Sequence, residues 1–259
     1  MELNHKTFGQ GPPLLILHGL FGTLDNWQTL ARRWAEHYTV VLIDQRNHGR
    51  SPHCNAHTYP LLGEDLKAFM ESNWMYHATL LGHSMGGKTV MQFATHYPEM
   101  VEKMIVVDIA PKAYPGGHES IIKALNNMPL DQIDNRQKAD AFLAQSIDDV
   151  GVRQFLLKNL TRDKKGGYRW KMNLPILTRD YKAILENIEP EENYEGPSLF
   201  IRGEKSNYVQ DEDYETIQYH FPTAHLVTIP DAGHWVHAEQ PQALYDTVSR
   251  FLEEEPAAW

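Results

Sequence analysis

The stretch Leu80-Leu81-Gly82-His83-Ser84-Met85-Gly86-Gly87 decides how this chain is read. An apolar, strand-like run (Ala78, Leu80, Leu81) leads into it, and a helix-like run from Lys88 to Tyr97 follows. Gly-x-Ser-x-Gly between a strand and a helix is the pattern of a nucleophile elbow. The turn is so tight that positions two before and two after the serine have no room for a side chain. Gly82 and Gly86 stand at those positions, and glycine also tolerates strained dihedrals there. Alone the motif is weak; its weight comes from what surrounds it.

Outward from the elbow, strand and helix patterns alternate. Leu14-Leu15-Ile16-Leu17 and Thr39-Val40-Val41-Leu42-Ile43 are continuous apolar runs, as expected of strands buried on both faces. Asn26 to Glu36 reads as a helix with Asp25 or Asn26 placed to cap it, and Pro60 to Asn73 as a helix with proline in its first turn. Met104 to Val107 is a further strand. From Lys112 to Glu195 the rhythm changes. No clear β run is seen, and helices are expected at 120–127, 136–146, 150–159 and 175–187. Alternation resumes with Ser198 to Ile201, a helix at Asp211 to Tyr219, Leu226 to Ile229, and a last helix from Pro241 to Glu254. The expected fold class is α/β, a doubly wound, mostly parallel sheet with an inserted helical cap. Residues 1–111 and 196–259 form the core, and 112–195 the cap subdomain.

At 259 residues and 42% hydrophobic content, the chain can bury a substantial core. The single cysteine, Cys54, excludes an internal disulfide. The N-terminus shows no apolar signal region, and no run approaches the ~20 residues of a membrane span. A cytoplasmic protein with no membrane association is the expectation. The net charge of −10, from 34 acidic and 24 basic residues, argues against a nucleic-acid partner, which calls for clustered Lys and Arg.

A nucleophilic Ser84 needs a base, an acid that orients the base, and an oxyanion hole. His234, in Asp231-Ala232-Gly233-His234-Trp235, follows the last strand pattern and is the candidate base. The candidate oxyanion donors are the backbone N–H groups of Met85, at the elbow helix N-terminus, and of Leu20, in the loop His18-Gly19-Leu20-Phe21-Gly22. The usual position for the acid, after the strand 198–201, holds Ser206. Asp108, which ends the strand after the elbow helix, is therefore the preferred acid, with Ser206 as a hydrogen-bonding partner. Glu204 and Asp211 are the runners-up. Phe21, Tyr114, Phe155, Trp170 and Trp235 are candidate substrate-pocket residues. Asp44-Gln45-Arg46 and His48 are expected to form a polar network that holds loops. His234-x-x-His237 with Glu239 lacks the spacing of a metal-binding helix, and no phosphate loop or dinucleotide fingerprint occurs, so no metal or cofactor is expected.

These pieces resemble an α/β-hydrolase, and specifically the YbfF-type esterases of bacteria. The matching segments are His18 to Gly22, Asp44-Gln45-Arg46-Asn47-His48-Gly49-Arg50-Ser51, Gly82 to Lys88, Asp108-Ile109-Ala110-Pro111, Ser206-Asn207-Tyr208-Val209 and Ala232 to Glu239. The resemblance implies hydrolysis of short-chain acyl esters or acyl-CoA thioesters, with the aspartate of Asp-Ile-Ala-Pro as the acid. Gly203-Glu204-Lys205-Ser206 departs from the smaller loop of that group. A carbon–carbon bond hydrolase or lyase acting on a dicarbonyl through the same triad is an alternative reading. A small-molecule receptor on the same fold is another.

Overall fold

The computed structural model describes residues 1–164 and 166–253. Nine strands and eleven α-helices run along the chain in the order β1 (His5–Phe8), β2 (Pro13–Leu17), α1 (Gln28–Trp34), β3 (Thr39–Ile43), α2 (Tyr59–Ser72), β4 (Ala78–His83), α3 (Met85–His96), β5 (Val101–Val107), α4 (Glu119–Asn127), α5 (Arg136–Leu143), α6 (Val150–Leu157), β6 (Leu160–Arg162), β7 (Tyr168–Trp170), α7 (Leu174–Arg179), α8 (Tyr181–Leu185), β8 (Ser198–Gly203), α9 (Asp213–His220), β9 (Ala224–Ile229), α10 (Val236–Glu239) and α11 (Pro241–Glu253), counted among the described residues. The expected end of the last helix at Glu254, and residues 254–259 of the expected core, lie outside the described residues.

Seven strands form one sheet in the order β1-β3-β2-β4-β5-β8-β9. All neighbours pair in parallel except β1, which runs antiparallel to β3. The continuous apolar runs arise because successive side chains face opposite, equally covered sides. Leu15, Leu17, Val41 and Ile43 pack with α2, α3 and α9 on one side. Leu14, Ile16, Val40 and Leu42 pack with α1 and α11 on the other. The β1 strand was not expected. Its residues His5, Lys6 and Thr7 are exposed at the sheet edge, so they carry no apolar alternation for a sequence pattern to report.

The first helix also differs from expectation. Leu24 to Trp27 is a 3₁₀ turn and α1 begins at Gln28. Asn26 serves the turn instead, its side-chain oxygen accepting from Thr23 N at 2.7 Å.

The segment between β5 and β8 carries α4 to α8 and corrects the expectation that it lacks strands: β6 and β7 form a small antiparallel hairpin. Each strand has only three residues, too few to show a period. The helix expected at 175–187 is split into α7 and α8 at Asp180, whose carboxylate accepts from His57 N at 2.8 Å. Apolar residues of this segment, among them Leu125, Leu143, Leu156, Trp170 and Leu177, gather over Phe21, Tyr59, Leu62 and Met85 of the sheet layer. Among the described residues, no helix is long and apolar enough to cross a membrane.

Candidate active site

Ser84 and Asp108 are neighbours because strand register makes them so. His83 of β4 lies opposite Val107 of β5, and Val107 opposite Ile201 of β8. Ser84 N donates to Val107 O (2.9 Å) and Asp108 N to Ile201 O (2.7 Å), so both residues sit one step past the carboxyl ends of adjacent strands. Open parallel sheets build their sites at those ends. Both residues also leave their strands with positive φ, 53° at Ser84 and 55° at Asp108, a conformation that costs energy for non-glycine residues.

The elbow glycines are needed for space. A Cβ on Gly82 would lie 2.1 Å from Gly86 O, and one on Gly86 would lie 2.4 Å from Leu17 O. Neither glycine has a positive φ; the strained dihedral that sequence reasoning assigned to the glycines belongs to Ser84.

The loop after β9 brings His234 between the two. His234 Nε2 lies 3.1 Å from Ser84 Oγ and Nδ1 lies 2.7 Å from Asp108 Oδ2. A carboxylate only accepts, so Nδ1 carries the proton and Nε2 faces the serine as an acceptor. Asp108 is fully buried. Its remaining lone pairs take Gly203 N at 3.0 Å and a short hydrogen bond from Ser206 Oγ, which in turn accepts from Tyr208 N at 3.2 Å. Three donors meet the hydrogen-bonding demand of this buried side chain. Glu204 is occupied with Asp231 N (3.0 Å), and Asp211 pairs with Arg202 in solvent (2.6 Å); neither is brought to His234.

The imidazole is held from several sides. Tyr208 stacks on it with centroids 3.8 Å apart, and Trp235 meets it edge-on. His83 Nε2 donates to His234 O at 2.8 Å. Burial holds His83 well below the usual histidine range, so it is neutral. Glu239 fixes the loop by accepting from Gly233 N (2.7 Å) and Trp235 N (3.1 Å). Among the described residues, no cluster of three or more His, Cys, Asp or Glu is arranged to hold a metal ion.

The loop after β2 is set by Asp44, Gln45 and His48. Gln45 N donates to His18 Nε2 (3.1 Å), Gln45 Nε2 to His18 O (2.7 Å), and Asp44 accepts from Leu24 N (2.8 Å). Phe21 N is taken by His48 Nε2 at 3.2 Å. Among the described residues, no backbone acceptor takes the N–H of Leu20 or of Met85. Both residues border Ser84. An oxyanion hole calls for two such free backbone donors.

Two clefts meet at Ser84. One is walled by Phe21, Ile121, Val152, Phe155, His234 and Trp235. The other is walled by Tyr59, Met85, Lys88, Tyr114, Tyr181 and Tyr208. Both are small. Leu20 and His118 border both. Of the pocket residues expected from sequence, Phe21, Tyr114, Phe155 and Trp235 line these clefts, and Trp170 does not. Trp170 is buried in the apolar cluster of the cap, its indole N–H donating to Leu125 O at 3.3 Å. A large aromatic at this position fills the cap interior, which sequence alone does not distinguish from a cleft wall. Lys88, Tyr208 and His118 border the site but were not singled out. For Lys88 a signal existed: it stands four residues after Ser84, on the same helix face.

The fold and this constellation define a serine hydrolase architecture. Residues 12–241 match the family model of the alpha/beta hydrolase fold, and the chain belongs to that family. It is 40% identical over 242 residues to a putative esterase/lipase of Haemophilus influenzae, covering 93% of this chain and 83% of that protein. It is 36% identical over 241 residues to esterase YbfF of Escherichia coli, covering 93% of this chain and 92% of that protein. A solved marine microorganism esterase superposes with a TM-score of 0.95 at 41% identity, covering 96% and 99% of the two chains. The chain is an esterase/lipase-family hydrolase.

Proposed function

We propose that this protein hydrolyses short-chain carboxylic esters, and the corresponding acyl thioesters, through an acyl-enzyme on Ser84. The observation that carries the reading is the unbroken relay from Ser84 Oγ through His234 to Asp108, at 3.1 and 2.7 Å, beside the unused amides of Leu20 and Met85. Ser84 Oγ attacks the acyl carbonyl while His234 Nε2 takes its proton. Asp108 stabilises the imidazolium that forms, and Ser206 and Gly203 N keep the carboxylate in place. The two amides receive the oxyanion. His234 then protonates the leaving oxygen or sulfur, and water activated by the same ring releases the acid. Small clefts support short groups on both sides of the scissile bond.

The test is turnover of p-nitrophenyl acetate and of acetyl-CoA by wild type and Ser84→Ala. Loss of both activities by at least about 10⁴-fold is expected, by analogy with removal of a triad serine elsewhere. Unchanged turnover in Ser84→Ala overturns the reading.

A further inference from the structure

The cleft that does not contain His234 holds a buried cation. Lys88 is 1% exposed and projects from α3 one turn beyond Ser84 into the cleft roofed by α8. Its ammonium donates to Leu185 O (3.3 Å) and Glu186 O (2.5 Å) at the end of α8, and lies against the faces of Tyr114 (4.8 Å) and Tyr59 (5.3 Å). Two carbonyls use two of its three N–H groups. Among the described residues, no carboxylate forms an ion pair with it. A buried ammonium with no carboxylate in contact is costly, and an anion entering the cleft relieves that cost.

The chemistry fixes which end of the substrate enters here. The leaving group takes its proton from His234 Nε2, so it lies in the cleft walled by His234 and Trp235. The acyl group then extends into the other cleft, toward Lys88. We propose that Lys88 is a specificity residue that binds a carboxylate at the far end of the acyl chain, so that the favoured substrates are half-esters or half-thioesters of short dicarboxylic acids. The inference rests on the Ser84 hydrolase reading above, and the reaction remains the addition of water across the acyl–oxygen or acyl–sulfur bond.

Burial lowers the Lys88 pKa to about 7, opposed by the nearby Glu186 carboxylate. The other titratable groups facing it are Tyr59 from α2, Tyr114 and His118 from the segment after β5, Tyr181 from α8, and Tyr208. Burial raises all four tyrosines and lowers His118. Lys88 therefore changes charge near neutrality, being cationic below about pH 7 and neutral above it.

The experiment compares kcat/KM for monoethyl glutarate with that for ethyl pentanoate, an ester of the same chain length ending in a methyl group. A charge-assisted hydrogen bond predicts a preference for the half-ester of about tenfold or more at pH 6. That ratio should fall toward one by pH 8.5 in the wild type, because titrations common to both substrates cancel. In Lys88→Met the ratio should drop about tenfold at pH 6. 3-Butyryloxypropanoate, with its carboxylate on the alcohol side, should gain no preference over ethyl butyrate. A wild-type ratio near or below one at pH 6 overturns the inference, as does a ratio unchanged in Lys88→Met. Equal losses on both esters in that variant mean that Lys88 only pins α8, which also overturns it. The wild-type pH series decides the question even if Lys88→Met fails to fold. Absence of wild-type turnover of ethyl pentanoate, by contrast, strikes at the Ser84 reading itself.

Discussion

The sheet layer and the cap hold their side chains in different ways. In the sheet layer, the candidate triad is fixed by strand register and by side-chain contacts. Ser84 and Asp108 are tied by their own amides to the next strand, and His234 is clamped by hydrogen bonds and ring stacking. The cap has short helices and a three-residue hairpin gathered on one apolar cluster. Polar contacts join it to the sheet layer, among them Asn159 to Phe21 O (2.5 Å), Tyr59 to Ile184 O (2.6 Å), Asp180 to His57 N (2.8 Å) and Lys88 to the end of α8. Chemistry thus rests on the part that cannot shift without breaking strand pairing. The clefts beside Ser84 are walled from both parts.

That contrast can be broken by substitutions on either side. Asp108→Asn is isosteric but reverses the hydrogen-bond polarity toward His234. It should lower kcat by ~10⁴-fold, as the same change does in the serine-protease template, while Asp211→Asn stays near wild type. Near-normal turnover in Asp108→Asn, with loss in Asp211→Asn or Glu204→Gln, would show that the acid lies elsewhere. On the cap side, Trp170→Ala removes a buried aromatic from the cluster and should cost about 3–5 kcal/mol in urea unfolding. If Trp170→Ala leaves the unfolding curve in place but alters substrate selectivity, Trp170 belongs to a cleft wall after all.

A smaller effect sharpens the comparison through pH. Burial lowers His57 and His237 to about 3, and holds His18, His48 and His83 below their usual range. A histidine kept neutral in the fold takes up its proton only on unfolding, so these groups cost nothing above pH 6.5 and destabilise the protein as pH falls below it. Between pH 6.5 and 5.5, His57 and His237 together should remove about 2 kcal/mol, read from denaturant midpoints. All five histidines lie in the sheet layer or its loops and none in the cap. Stability independent of pH over that range would mean that these rings are not buried as neutral groups.

Much of the fold was legible because buried parallel strands write themselves as unbroken apolar runs. Leu14 to Leu17 and Val40 to Ile43 need no context to be read. What escaped was structure with no periodic signature: the exposed edge strand at His5–Phe8, the hairpin at Leu160–Trp170, and the break at Asp180, which a hydrogen bond from a distant backbone amide accompanies. The candidate site divides in the same way. Gly82-His83-Ser84-Met85-Gly86 marks the elbow by its spacing, although only Gly82 answers a demand within those five residues; Gly86 leaves room for Leu17 of the neighbouring strand. Asp108, Ser206 and His234 are far apart in sequence, and only the sheet decides that they meet. Strand register carries Asp108 beside Ser84, and the loops after β8 and β9 close over both. Local sterics are encoded locally. Which carboxylate reaches the imidazole, and which cation lines the cleft, depends on distances that exist only once the chain is packed.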